Sequence, residues 1–363
     1  MSDKRKKVCV IFGGQSSEHE ISRVSAASVI NHLDKEKYKV IMLGITKKGK
    51  WYLYSGKVEN LHNGAWEEDK KHLKPAVLSP SSRDKGLLIE GEGGKLRHMR
   101  IDVIFPVLHG MYGEDGTVQG LFELSGLPYV GCGVLASSVG MNKIYMKYMF
   151  EKAGLTQAKW LPFYTKDFAH IDEMAEQIEK ELGYPCFIKP ANAGSSVGIT
   201  RAENRQEVLA GLRLAAEHDR QIVVEEAVVG REVECSVLGN ASETDGVRAS
   251  AVGEVVSAVG FYDYEEKYKT DTAELVIPAK LDTAVSDRIR ECACTAFCAI
   301  DGAGLSRVDF FVRARDGAVV INEINTLPGF TSISMYAALW NVSGLPYGAL
   351  LDELIALAYT RQK

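Results

Sequence analysis

Short continuous apolar runs alternate along this chain with stretches whose apolar residues recur at helical spacing. Val8–Phe12 is such a run, the pattern of a strand buried on both faces. Gly13-Gly14 end it. Ser17 with Glu20 three residues on then reads as a capping box opening a helix to about Leu33. Val40–Ile45 reads as a second strand, and Ile101–Leu108 as a third ending in His109-Gly110. Between these two, Trp51 to about His98 is polar and Gly-rich and reads as a peripheral strand and loop region. The strand–helix–strand rhythm predicts a parallel sheet.

Gly131-Cys132-Gly133 reads as a hinge into a second region. There Met141–Ala153 and Asp172–Leu182 read as helices, and Cys186–Lys189 and Gln221–Glu226 as strands. The last third carries strands at Glu232–Leu238, Ala249–Val256, Ser306–Arg313 and Ala318–Asn325, and closes with a helix near Tyr347–Thr360. Boundaries near 131 and 226 divide this α/β chain into units 1–131, 132–226 and 227–363.

A length of 363 residues exceeds what one core usually serves, which agrees with that division. The net charge of −5 gives no global reason to expect nucleic acid or an anionic membrane, so an anionic substrate needs local positive charge. No apolar stretch is long enough to span a membrane. The Lys4–Lys7 run reads as a solvated end. Seven cysteines are scattered, and Cys292, Cys294 and Cys298 share a helical pattern. Small buried residues in a reduced cytoplasm account for them better than a metal site.

Five constellations carry chemistry. In Lys189–Gly198 a strand delivers a lysine and then small residues, including Gly194, Ser195 and Ser196. Such a loop lets backbone N–H groups approach phosphate oxygens, although an ordinary glycine turn would look similar and the spacing is not that of a P-loop. Ser306–Phe311 and Ile321–Asn325 flank Arg315-Asp316-Gly317, a hairpin signature. A three-residue loop ending with Gly317 in a left-handed position would pair Asp309 with Glu323 and Arg307 with Asn325 on one face. A two-residue turn would separate the carboxylates. Side-by-side carboxylates call for a cation, and oxygen ligands suit Mg²⁺; a solvated edge hairpin explains the accompanying Arg and Asn poorly.

Thr326–Ser334 holds a Pro328-Gly329 turn followed by hydroxyls, able to donate N–H groups to an oxyanion, though a plain turn suffices to explain it. His109–Gly116, after a strand, places polar groups where parallel sheets hold ligands; capping of the next helix is the simpler account of Asp115. Phe261–Tyr268 is dense in aromatics within a polar connection that runs on to Glu274, as in a lid; tyrosines packed on the surface below are the alternative.

Taken together these residues resemble the D-alanine–D-alanine ligases, a branch of the ATP-grasp family. The likeness runs from Gly13 to about Met335 and includes Gly13-Gly14, Ser16, Glu18-His19-Glu20, Ser22, the His109 and Lys189 loops, the tyrosine-rich lid and Asn322–Met335. It implies three α/β domains, with an N-terminal parallel-sheet domain and ATP held between two antiparallel sheets. It further implies that Lys143, Lys189 and Ser196 contact ATP phosphates, with Lys267 near the γ-phosphate. Glu225 and Glu232 match the residues that hold adenine and ribose. Asp309, Glu323 and Asn325 match ligands of Mg²⁺, expected as two ions that Mn²⁺ can replace. Glu18 matches the acid facing the first D-alanine's ammonium, and Ser195 and Tyr268 its hydrogen-bond partners. Arg307 and the Gly329 backbone match oxyanion stabilisers, and Ser334 and Met335 the second substrate's subsite. His109 matches an active-site histidine on the substrate side whose role stays open. Ala337-Ala338 departs from the Pro-Lys common in relatives.

The activity so implied is ATP-driven joining of two D-alanines through an acylphosphate, by a cytoplasmic homodimer acting on small molecules, not on nucleic acid or membrane. Three alternatives stay open: D-serine or D-lactate as second substrate, another carboxylate–amine ligase, or a non-catalytic nucleotide-binding module. The neutral phenol of Tyr268 argues against D-lactate, because a cationic histidine there would favour an anionic second substrate.

Overall fold

The computed structural model describes residues 4–194, 197–243, 246–256 and 274–361. Ser195, Ser196, Lys267, Tyr268 and the expected lid from Phe261 onward lie outside the described residues, apart from Glu274.

The first region runs β1 (Lys6–Gly13), α1 (His19–His32), β2 (Tyr38–Ile45), β3 (Trp51–Tyr54), α2 (Glu59–Asn63), β4 (Leu73–Leu78), β5 (Gly86–Glu90), β6 (Leu96–Arg100), β7 (Val103–Val107) and α3 (Thr117–Ser125). Its seven strands form one sheet in the order β6-β5-β4-β3-β2-β1-β7. β1 runs parallel to both β2 and β7, as the strand–helix–strand rhythm predicts. The stretch read as peripheral strand and loop is β3 to β6, which extend the sheet by antiparallel pairing. β6 is exposed along most of its length, so its pairing needs no apolar pattern.

The expected capping box at α1 does not form. Glu18 occupies the N-cap without a side-chain bond to the helix, and Glu20 instead meets Lys47 at 2.6 Å. Ser16 holds the turn: its Oγ accepts from Glu18 N (3.0 Å) and donates to the His109 carbonyl (2.7 Å). A partner across the sheet edge thus replaces the local cap.

The second region holds α4 (Val134–Met141), α5 (Lys143–Lys152), β8 (Trp160–Tyr164), α6 (Ile171–Glu181), β9 (Cys186–Pro190), β10 (Thr200–Ala202), α7 (Arg205–His218) and β11 (Gln221–Glu226). The single helix read over Met141–Ala153 is a junction between two. The Asn142 side chain accepts from Ile144 N and Tyr145 N and caps α5. The four strands pair antiparallel in the order β10-β9-β11-β8. Ile178 of α6 and Leu212 of α7 pack with Ile188 and Val224 on one face of that sheet.

The third region holds β12 (Gly230–Asn240), β13 (Arg248–Val256), β14 (Glu274–Val276), α8 (Thr283–Ala299), β15 (Ala303–Arg313), β16 (Val319–Asn325), α9 (Met335–Val342) and α10 (Tyr347–Thr360). Its strands form an antiparallel sheet in the order β14-β13-β12-β15-β16. Ile289, Cys292 and Phe297 of α8 pack on Val233, Cys235, Val308, Phe310 and Ile324. The cysteine cluster is therefore one face and flank of a helix, and all seven cysteines are free thiols. α10 returns to the first sheet, where Leu350 and Leu354 join the core of β1 and β7.

Candidate active site

Strand alternation gives the second and third sheets one apolar face and one polar face each. On β9 and β11, Ile188 and Val224 enter the core, so Lys189 and Glu225 point the other way. On β12 and β15, Val233, Cys235, Val308 and Phe310 are core, which leaves Glu232, Glu234, Arg307 and Asp309 opposite. Lys143, Lys189, Glu225, Glu232, Glu323 and Asn325 line one cleft between these sheets. Gly194 and Glu114 stand at its wall.

The hairpin of β15 and β16 sets Arg307 opposite Asn325 and Asp309 opposite Glu323, the pairing expected from the sequence. Glu234 stands opposite Asp309 on the other side, so three carboxylates cross three neighbouring strands in a row. Arg307 lies among them. Its Nε and Nη2 donate to the two Asp309 oxygens at 2.7 Å each, and Nε is 3.0 Å from Glu234 Oε2. Asn325 Nδ2 donates to Asp309 Oδ2 at 3.0 Å.

Lys143 links the two sheets, and two further lysines gather on Glu225. Lys143 Nζ donates to the Ala193 carbonyl (3.0 Å) and sits 3.5 Å from Glu323 Oε2. Lys189 Nζ donates to Glu225 Oε2 at 3.1 Å. Lys147, one turn beyond Lys143 on α5, is fully buried with Nζ 3.3 Å from Glu225 Oε1. That distance suits an ion pair, yet Nζ makes no aligned hydrogen bond among the described residues. Burial pushes the Lys147 pKa down while Glu225 opposes the shift. Burial would raise the Glu225 carboxyl, but Lys147 and Lys189 hold it below the ordinary range.

The donor set on the hairpin fits Mg²⁺ by chemistry: two opposed carboxylates and an amide, all capable of hard oxygen ligation. Among the described residues no trio of His, Cys, Asp or Glu side chains is grouped tightly enough to hold a metal. The expected set has only two carboxylates, so this does not bear against it. Burial, then Glu18 and Glu323, push the nearby Glu114 carboxyl up to about 8.

Glu18 stands where the first sheet meets this cleft. It is buried, and its Oε2 lies close to both Gly110 and Gly194: a β-carbon placed on either would come within 2.5 Å and 3.2 Å of it. Gly110 also has a φ of +73°, which L side chains rarely adopt, and its N–H donates to Glu114 Oε1 at 2.9 Å. The acid that precedes α1 therefore lies beside the loop after Lys189.

The Pro-Gly loop is pinned from several sides. His109 is 4% exposed, with Nδ1 3.0 Å from the Leu327 carbonyl and Nε2 3.3 Å from Ser25 Oγ. Burial holds its imidazole below the ordinary value, against the pull of Glu18 and the Leu327 carbonyl. Tyr347 Oη donates to the Phe330 carbonyl at 2.7 Å. Ser334 precedes α9, and its Oγ accepts from Thr331 N at 3.0 Å. The Met335 side chain is buried with Val255 and Leu339.

Sequence reasoning passed over Glu114, Lys147 and Glu234. Glu114 lies within His109–Gly116 and has the plainer look of a loop acid. Lys147 carried a signal, a second lysine four residues after Lys143 on a helix, that becomes informative only once its burial is known. Glu234 shows itself only through the pairing of β12 with β15.

Two family models match the chain: "D-ala D-ala ligase N-terminus" over residues 7–132 and "D-ala D-ala ligase C-terminus" over residues 149–356. A D-alanine--D-alanine ligase from Ruminiclostridium cellulolyticum is 53% identical, covering 98% of this chain and 96% of its own. One from Acetivibrio thermocellus is 50% identical, covering 99% and 97%. Among solved structures, the VanG D-Ala:D-Ser ligase from Enterococcus faecalis superposes with a TM-score of 0.88 at 42% identity, covering 98% and 99%.

Proposed function

The chain belongs to the D-alanine–D-alanine ligase family, and on that footing we propose that it joins two D-alanines at the expense of ATP. The observation that carries this reading is the position of Glu18, a buried carboxylate against the loop that follows Lys189. A D-alanine whose ammonium rests on Glu18 would direct its own carboxylate toward the lysines of the cleft.

The residue roles follow from charge and position. Lys143, Lys189 and Ser196 take the ATP phosphates, and Lys267 serves the γ-phosphate. Glu225 and Glu232 take the adenosine end. Asp309, Glu323 and Asn325 hold Mg²⁺, which when bound offsets phosphate charge. Attack of the D-alanine carboxylate on the γ-phosphate forms a P–O bond, releases ADP and leaves an acylphosphate. Ser195 and Tyr268 link the lid to Glu18. The second D-alanine's amine, having lost a proton, attacks the acyl carbon and phosphate leaves. Arg307 and the Gly329 N–H meet the oxyanion, and the start of α9 at Ser334 and Met335 takes the second carboxylate. We read the three sheets as one unit each, bounded near 131 and 226. The dipeptide serves peptidoglycan precursor synthesis in the cytoplasm, and the active form is a homodimer.

A second reading keeps the chemistry and takes D-serine as second substrate. The likeness to a D-Ala:D-Ser ligase structure favours it. Phosphate release from ATP and Mg²⁺ tests the main reading. D-alanine alone should elicit turnover and L-alanine should not. Turnover that ignores D-alanine would refute it.

A further inference from the structure

The carbonyl of Leu327 can only accept a hydrogen bond, so the His109 nitrogen 3.0 Å from it, Nδ1, carries the proton. Burial holds the imidazole pKa down, so the ring is neutral and Nε2, left bare, accepts from the Ser25 hydroxyl at 3.3 Å. Ser25 is fully buried on α1, and its oxygen in turn accepts from Phe330 N at 3.4 Å. The chain of bonds starts two residues after β7, crosses α1 and closes on both ends of the segment Leu327-Pro328-Gly329-Phe330. Both ring nitrogens are thus engaged by protein. The main chain of His109 meanwhile anchors Ser16, which positions Glu18.

We propose that His109 is a positioning residue: with Nδ1 protonated and Nε2 bare, it straps the Leu327–Phe330 turn to the first sheet and fixes where the Gly329 N–H points. It does not touch substrate. This rests on the reading of Gly329 as an oxyanion donor. The strap differs from a mere core contact because it spans the seam between the unit bearing Glu18 and the loop bearing Gly329. A loosened turn would misplace the amide donor while leaving the nucleotide cleft as it is. A misplacement of about 1 Å can cost on the order of 10² in rate.

The test uses the full-length enzyme and His109→Ala, His109→Asn and Ser25→Ala. Asparagine can place an N–H near the position of Nδ1. Dipeptide kcat should fall about 10²-fold in His109→Ala, with KM for ATP within about twofold of wild type. Phosphate released per dipeptide should rise above one, because the acylphosphate forms but is lost to water. His109→Asn should recover at least about a tenth of the wild-type rate, and Ser25→Ala should be impaired in the same direction. Amide hydrogen exchange of the peptide spanning 326–332 should quicken in His109→Ala and less so in His109→Asn. Unchanged exchange in His109→Ala overturns the strap whatever the enzyme makes. A raised KM for D-alanine with kcat intact overturns it too, because that is the mark of a direct substrate contact. If wild type makes no dipeptide, the functional reading fails, and the exchange measurement still decides whether the strap exists.

Discussion

Asp309 and Glu323 stand directly opposite each other on β15 and β16, and a β-bulge at Asn322 puts them there, not the hairpin turn. Near the turn, Arg313 N donates to the Ala318 carbonyl and Gly317 N to the Arg313 carbonyl, leaving residues 314–317 in the loop. That register pairs Phe310 with Ile321 and, unbroken, would set Asp309 against Asn322. The extra residue lets Ile321 and Ile324 both enter the core while Asn322 and Glu323 both face the cleft.

Glu323→Gln tests whether this pair serves a cation. Its side chain is 27% exposed, so little packing is at stake. Turnover should fall at least about 10²-fold, with a higher Mg²⁺ requirement, while Tm moves by only a degree or two, about what a surface change does. Equal losses of stability and activity, by calorimetry and phosphate release, would mark the pair as structural.

Gly194→Ala tests Glu18 with little backbone strain. A β-carbon there would stand 3.2 Å from Glu18 Oε2. The expected outcome is a rise in KM for D-alanine of about tenfold, with KM for ATP nearly unchanged. Steady-state kinetics in each substrate separate the two. A rise for ATP alone would remove Glu18 from the amino-acid site.

Lys147→Met should destabilise the fold by about 3 kcal/mol, since it leaves Glu225 buried with one cation fewer. Adding Glu225→Gln should recover part of that loss, because the uncompensated charge is gone. Urea unfolding of both variants checks it. Additive losses would mean the two groups do not interact.

Much of this architecture was legible in apolar runs. β11 and α10 fall on the ranges their patterns predict, Gln221–Glu226 and Tyr347–Thr360. The failures share a cause, which is a distant partner. Glu20 finds Lys47 in place of a local cap, and β6 pairs without an apolar face. The hairpin is the instructive case. Gly317 takes the expected positive φ, but the loop is one residue longer than expected, and the bulge restores the pairing. Ile321-Asn322-Glu323-Ile324 carried that information as a break in strand alternation. The hairpin quartet and the Lys189 loop were legible in the residues themselves, whereas Glu18, Lys143, Glu225 and Glu232 came from the family resemblance, and the structure adds their neighbours.

Glu254 gives a pH signature. Arg231 donates to both its oxygens, Nε at 2.7 Å and Nη2 at 2.6 Å, and these bonds hold its carboxyl below the ordinary range. A carboxyl lowered on folding stabilises above its unfolded value, about 4.3, and that stabilisation is lost as pH falls through the folded value. Glu254→Gln should therefore lower Tm at pH 7 and converge with wild type as pH drops below about 4. A Tm difference that stays constant with pH would show that the ion pair does not matter.

The most direct test of the central claim is product partition. Wild-type enzyme with ATP, Mg²⁺ and equimolar D-alanine, D-serine and D-lactate should yield D-alanyl-D-alanine as the main product by mass spectrometry. It should make negligible ester between about pH 6 and pH 9, a range that spans the ordinary histidine value. The neutral phenol of Tyr268 offers an approaching amine no charge repulsion. D-alanyl-D-serine as the main product would assign the enzyme to the second reading. A mainly ester product, or no condensed product at all, would contradict the account.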